Sequence, residues 1–231
     1  MRGLRGSGGR WVPGRSRPPE SGATVHGHVE LGAGAVIDEN VRLGYMPVAD
    51  EDIAPLRIGL NARVRSGSVL YAGSRIGRGL VIGHNVVIKQ GTRIGDESVI
   101  SDNTIVECGC AIGERVRIQA NCHIGEFTTI EDDVVVGSGT SMASDPYPGS
   151  KSPVLRGPTV KRGAVIGPNV TLLPSVVVGE AALVAAGSVV TGDIVPGALV
   201  LGNPARVLSL DAPADNRVYV VAAPKRKVGS A

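Results

Sequence analysis

Aromatic side chains are nearly missing from this chain: its 231 residues include one Phe, one Trp and four Tyr. Large rings usually dominate the buried area of a globular core, so a wide aromatic core is excluded. Charge of one sign is also missing. The net charge is +3, and much of it is terminal: Arg2, Arg5, Arg10, Arg15 and Arg17 at one end, Lys225, Arg226 and Lys227 at the other. The near-neutral body offers no nucleic-acid footprint. No apolar run approaches the roughly 18 residues of a membrane span, and none follows the basic N-terminus as a secretory signal requires. Three cysteines without scaffold spacing fit a reducing compartment, and the expected location is the cytoplasm. What is abundant is glycine, at 33 residues, together with Val and Ile. That mixture favours short stacked strands with frequent turns.

A six-residue step organises the chain. From Ile58 it runs through Val64, Leu70, Ile76, Ile82, Ile88, Ile94, Ile100, Val106, Ile112, Ile118, Ile124, Ile130 and Val136 to Met142, fifteen consecutive apolar positions. With about 40% of residues apolar, chance gives such a run on the order of once in a million. The same phase returns from Val160 to Val190, and an earlier block spans Val25 to Leu43. Four residues after each aliphatic stands a small or β-branched residue, such as Ser68, Thr92, Ser98, Cys110 or Cys122, with Leu80 the oversized exception. A period of six is neither helical nor that of a lone strand. It describes strands joined by turns, each burying its aliphatic only when neighbours stack on it. Three such units close a triangular coil and set residues eighteen apart above one another.

The expected fold is therefore all-β, a parallel β-helix in the form of a triangular prism, over 23–208. Residues 1–22 lack the repeat and read as a flexible basic arm, and 209–231 as a C-terminal tail or cap. Two interruptions, 44–57 and 143–159, are rich in Pro and charge and read as loops extruded from the prism, where function tends to sit.

The hexads resemble the left-handed β-helix (hexapeptide-repeat) acyltransferases. The stretches "IQANCHIGEFTTIEDDVVVGSG", "ASDPYPG" and "AAGSVVTGDIVPGALVLGNPAR" are similar to the branch that N-acylates amino groups of nucleotide-linked sugars. The resemblance implies left-handedness, a homotrimer, and acetyl-coenzyme A as co-substrate between adjacent prisms, with no metal. Relatives carry Asn-Asp-Pro or Thr-Asn-Asp where this chain has Ser144, Asp145 and Pro146. That departure bears on the acceptor more than on the reaction.

Amide formation from a thioester needs an unprotonated amine, a donor for the oxyanion and two substrates held in line. His84, outward in the repeat, is a candidate base; it is equally readable as a surface histidine. Asn121, in the "IQxN" motif, is a candidate partner of the attacking amine, and otherwise a turn residue. Asn85, His123 and Asp145 are candidate acceptor contacts; a turn role is the competing reading for Asn85 and Asp145, and relatives often carry Tyr at the His123 position, which argues against an essential base there. Donor contacts are expected from Ala186, Gly187 and Ser188 for the pantetheine arm, Lys161, Arg162 and Arg206 for the phosphates, and Asn203 and Pro204 beside the adenine. Solvated charge is the alternative for the three bases. Cys110 and Cys122 read as core. A zinc hydratase on the same prism needs three histidines, whereas the body holds only His84 and His123, with His26 and His28 several coils away. O-acylation of a hydroxyl and a non-enzymatic scaffold are the rival functions.

Overall fold

A Val or Ile flanked by turn residues every sixth position can extend for only two residues before the chain bends. In the computed structural model most strands are two residues long. The structure describes residues 22–46, 53–150 and 154–211, together with the backbone of 11–12. The strands stack into three parallel sheets, and the chain visits them in strict rotation. The first face runs from Thr24–Val25 to Val189–Val190, the second from Val29–Leu31 to Val177–Val178, and the third from Val36–Ile37 to Leu199–Gly202. Register follows the eighteen-residue step, as in Ile82 beside Ile100 and Ile100 beside Ile118. The result is a three-sided parallel β-solenoid of about nine turns.

The aliphatic of every hexad points into the prism, and one continuous core runs from Ala23 to Val200. Each buried Ile or Val contributes roughly 1.5–3 kcal/mol before entropy is subtracted. The companion slot is buried too, and its hydroxyls are satisfied by the coil above: Ser68 donates to the Gly83 carbonyl, Ser98 to Gly113 and Thr104 to Gln119, fifteen residues on in each case. Cys110 and Cys122 occupy this slot, and burial pushes the Cys110 thiol up to about 12. Leu80, too large on paper, is fully buried there.

Turns at the edges require left-handed backbone, which Asn tolerates better than most residues with a Cβ. Asn85, Asn103 and Asn121 take φ of 55°, 57° and 60° at the edge between third and first faces. Both loops leave the edge between first and second faces, one after Arg42–Tyr45 and the other after Ser141–Met142. Five coil rises of roughly 4.8 Å separate them, so they bracket about 24 Å of one edge.

Of the segment 1–22, Trp11–Val12 pairs in parallel with Val29–Glu30, and the rest apart from Gly22 lies outside the described residues. At the other end the parallel stacking stops at Leu199–Gly202, and Ala205–Ser209 folds back antiparallel on it through a cis Asn203–Pro204 bond. The tail beyond residue 211 lies outside the described residues. No helix among those described is long and apolar enough to cross a membrane.

Candidate functional site

Three edges divide the sequence-derived candidates. His84, Asn85, Asn121 and Ala186 to Ser188 all stand on the third–first edge, here called the asparagine edge. His123 is on the first face itself, and Asp145 opens the second loop, on the loop edge. Lys161 and Arg162 lie on the second–third edge, and Asn203, Pro204 and Arg206 in the terminal hairpin. A single prism thus gathers the acceptor candidates around one face and scatters the donor candidates.

The first face carries an in-register column of outward side chains: Val69, Val87, Ile105, His123 and Ser141. A second column beside it holds Tyr71, Lys89 and Glu107. Glu107 ties the two columns together. One carboxylate oxygen is 2.6 Å from the Lys89 Nζ, and the other is 3.6 Å from the His123 Nε2. The carboxylate is largely covered, at 12% side-chain exposure, while His123 is half open at 49%. The hydrogen bond from Lys89 to Glu107 holds the ammonium's pKa above its ordinary value. At 3.6 Å the histidine is beyond hydrogen-bond length but inside strong electrostatic reach. A histidine backed by a lysine-anchored carboxylate is an arrangement suited to accepting a proton.

Gly125 is the next residue of the second column, and no other residue fits: a Cβ there would stand 2.4 Å from the Met142 carbonyl oxygen. The coil above, through the Met142 carbonyl and Ser144, fills the place a side chain would take. The neighbouring Glu126 accepts a hydrogen bond from the buried Ser144 hydroxyl one coil up, which holds its carboxyl below the ordinary range. That bond anchors the base of the second loop, and the Arg156 amide donates to the Ser144 carbonyl at 2.7 Å to close it. Asp145 accepts from the Tyr147 amide at 2.8 Å, a local turn contact. Below the cluster, His26, Tyr45 and Tyr71 stack edge to face, with ring centroids 5.3 and 5.1 Å apart.

On the asparagine edge, the His84 Nδ1 is 2.9 Å from the Ser66 Oγ, and its amide donates to Asp102 at 2.7 Å. Asn85 donates to the Asn103 side chain at 3.3 Å. Asn121 stands one coil above Asn103, exposed, two residues from His123. His84 and Asn121 are two coil rises apart, roughly 10 Å.

Lys161 and Arg162 are committed elsewhere. Lys161 bonds to Glu131 at 2.8 Å and Arg162 to Asp132 at 3.0 Å. They continue a ladder in which Arg78 pairs Asp96 and Arg115 pairs Asp133. Ser188 accepts from the Gly202 amide at 3.2 Å, which ties the asparagine edge to the terminal hairpin.

Lys89, Glu107, Glu126 and Phe127 are not among the sequence-derived candidates. Their signal is nonetheless in the spacing: 89 to 107 and 105 to 123 are both steps of eighteen. Phe127, the one Phe of the chain, is 53% exposed and has a φ of 57°. For a bulky residue this costs on the order of 1–2 kcal/mol. Its ring lies over Gly109, with two ring carbons 2.7 and 2.8 Å from where a Cβ would stand.

Models of known families match the same hexads. The bacterial transferase hexapeptide (six repeats) matches residues 91–126, 109–144 and 157–192, and the hexapeptide repeat of succinyl-transferase matches 73–108. These matches, on a three-sided parallel solenoid, support the resemblance to the left-handed β-helix acyltransferase superfamily. Within it, a 48-residue stretch is 54% identical to dTDP-3-amino-3,6-dideoxy-alpha-D-galactopyranose 3-N-acetyltransferase of Aneurinibacillus thermoaerophilus, covering 21% of this chain and 25% of that protein. A 59-residue stretch is 44% identical to 2,3,4,5-tetrahydropyridine-2,6-dicarboxylate N-acetyltransferase of Staphylococcus aureus, covering 26% and 23%. The chain thus spans about a quarter of the curated relatives it matches. The UDP-N-acetylglucosamine acyltransferase of Bacteroides fragilis superposes with a TM-score of 0.57 over 83% of this chain and 71% of that one, at 21% identity, a likeness of fold. The chain therefore has a prism like that of the hexapeptide-repeat transferases it matches.

Proposed function

We propose that this chain is an acyl-coenzyme A-dependent N-acyltransferase that moves an acetyl or short acyl group to an amino group of a nucleotide-linked sugar. The observation that carries the reading is the line Lys89–Glu107–His123, with Asn121 two residues from its open end and the second loop overhead. The short but high-identity match to an amino-sugar N-acetyltransferase supports the same substrate class.

The reaction forms a C–N bond and breaks the C–S bond of the thioester. The acceptor amine enters beside the half-exposed His123, and the Asn121 amide orients it. His123 takes the proton that the attacking nitrogen loses, and Glu107 stabilises the imidazolium so formed. The same proton then goes to the departing coenzyme thiolate. His84 is a second candidate base: its Nε2 has no partner among the described residues. Asn85 and Asp145 lie on the acceptor side. The donor reading retains Ala186, Gly187, Ser188, Asn203, Pro204 and Arg206, on the third-face end of the prism. Lys161 and Arg162 reach coenzyme phosphates only by releasing Glu131 and Asp132. Clefts between prisms of a cytoplasmic homotrimer complete the reading.

The test is thiol release from acetyl-coenzyme A with a panel of amino-sugar nucleotides and hydroxyl acceptors. Release with the amino acceptors supports the reading, and release with hydroxyl acceptors alone replaces it with O-acylation. No release with any acceptor, joined to no calorimetric binding of coenzyme, rejects it. Separate Ala variants of His84, Asn121 and His123 then assign the base.

A further inference from the structure

The second face holds a feature that the proton-transfer chemistry leaves unused. Its outward column reads Arg57, Arg75, Arg93, Ala111 and Thr129, each in register with the next. Stacked guanidinium groups one coil apart repel one another unless something neutralises them. Arg57 is neutralised by Glu30 at 2.8 Å. Among the described residues neither Arg75 nor Arg93 has an ion-pair partner, and both are exposed. The carboxylates around them are engaged: Asp96 with Arg78, Glu114 with Arg115, Glu131 with Lys161, Asp132 with Arg162.

The column changes from Arg to Ala at Ala111. Above Ala111 and Gly113 lies an open depression of about 300 Å³, bounded by Arg93, Thr129, Glu131 and Arg162. Phe127 stands on the loop edge two residues before Thr129. Its ring rests on Gly109, two residues before Ala111 and so about 7 Å along the strand from the floor of the depression. Holding this ring at the edge needs a left-handed backbone that other coils give to Gly73, Gly91 and Gly109 at the same position. The ring covers Gly109 with one part and leaves half of the residue in solvent. Strain kept at an exposed aromatic beside an uncompensated cation points to a ligand.

We propose that the second face carries a nucleoside-diphosphate site, in which Phe127 stacks the base and Arg93, with Arg75 next to it, holds the diphosphate over Ala111 and Gly113. A flat ring on one side of the depression and a guanidinium bounding it match the two ends of such a ligand, and base–aromatic stacking is tolerant of which base is bound. The same chemistry is present in a sugar nucleotide and in the adenosine diphosphate part of coenzyme A. The proposal depends on the functional reading only for which of these supplies it.

Calorimetric titration of the full chain with UDP, dTDP, GDP, ADP, coenzyme A and inorganic pyrophosphate tests it. The nucleotides should bind more tightly than pyrophosphate. Phe127→Asn, which suits the left-handed backbone, should weaken the nucleotides about tenfold or more and leave pyrophosphate unchanged. Arg93→Gln should weaken both, and Arg115→Gln, on another edge, neither. Preference for UDP, dTDP or GDP assigns the sugar nucleotide, and preference for ADP and coenzyme A assigns the donor. The site is overturned if no nucleotide binds, or if binding is indifferent to Phe127→Asn and Arg93→Gln in folded protein. Thiol release separates the two ideas: transfer to an amino-sugar nucleotide with an unchanged KM in both variants removes the site and keeps the function. Phe127-dependent binding without any transfer does the reverse.

Discussion

Two edges of the same prism handle charge in opposite ways. On the second–third edge acids pair with bases one coil away: Arg78 with Asp96, Arg115 with Asp133, Glu131 with Lys161, Asp132 with Arg162. These pairs are solvent-exposed, and their purpose is local neutrality along a stack that would otherwise set like charges about 5 Å apart. On the first face and its loop edge the charges do not cancel in pairs. Glu107 is shared between Lys89 and a histidine, and Glu126 is held by a hydroxyl. The hexad fold is the same at both edges, so the fold does not cause the difference. It is the basis on which we propose one edge as scaffold and the other as site.

That comparison can be broken by substitution. The largest effect is expected at His123: His123→Ala should lower the acyl-transfer rate about 10²–10⁴-fold, whereas Lys161→Ala should change it less than about twofold, since exposed pairs contribute little. Steady-state thiol release checks both. If Lys161→Ala were the more damaging, the ion-pair edge would be the site.

Next comes Gly125→Ala. The added carbon meets a main-chain oxygen, and the expected destabilisation is about 1–3 kcal/mol, read as a Tm drop of several degrees. Gly163→Ala, on the ion-pair edge, has nothing within 4 Å and only its φ of 66° to contend with, so its cost should be smaller. Equal costs would erase the distinction.

A smaller effect concerns acid. Ser144 holds the Glu126 carboxyl below its ordinary value of 4.5. The folded protein therefore binds this proton less readily than the unfolded chain does. The stabilisation is fully present above that value and is lost as pH falls through the lowered folded one. Ser144→Ala should lower stability at neutral pH and flatten its fall below about pH 4.5, so that variant and parent converge in acid, as measured by urea unfolding across pH. The smallest effect is at Arg115: Arg115→Ala should leave Tm unmoved despite its short contacts with Asp133 and Glu114. A clear loss would show that the ladder stabilises the coils rather than neutralising them.

Much of this architecture is legible in the order of residues alone. The six-residue phase puts Ile82 and Ile100 inside, assigns Cys110 and Cys122 to the small slot, and turns His84 and His123 outward. Each assignment follows from sterics repeated within a few residues. The eighteen-residue step likewise contains the Lys89–Glu107 stack, since a three-sided coil carries that pairing without insertion. The oversized Leu80 shows the margin of such reasoning: the slot accepts it whole.

The amino-acid sequence by itself therefore determined the prism, its inward and outward residues and the two departures from it, because period and side-chain size act locally. The tertiary structure decided what the loops do to register. Across the second loop, residues thirty apart stack instead of eighteen, which is how Glu131 and Asp132 come to hold Lys161 and Arg162. It also put both loops on one edge and set Phe127 over Gly109. The physical reason is the backbone: after an insertion of any length, strand hydrogen bonds re-form only with the coil below. The partners of every later side chain are then fixed by that pairing rather than by distance along the chain.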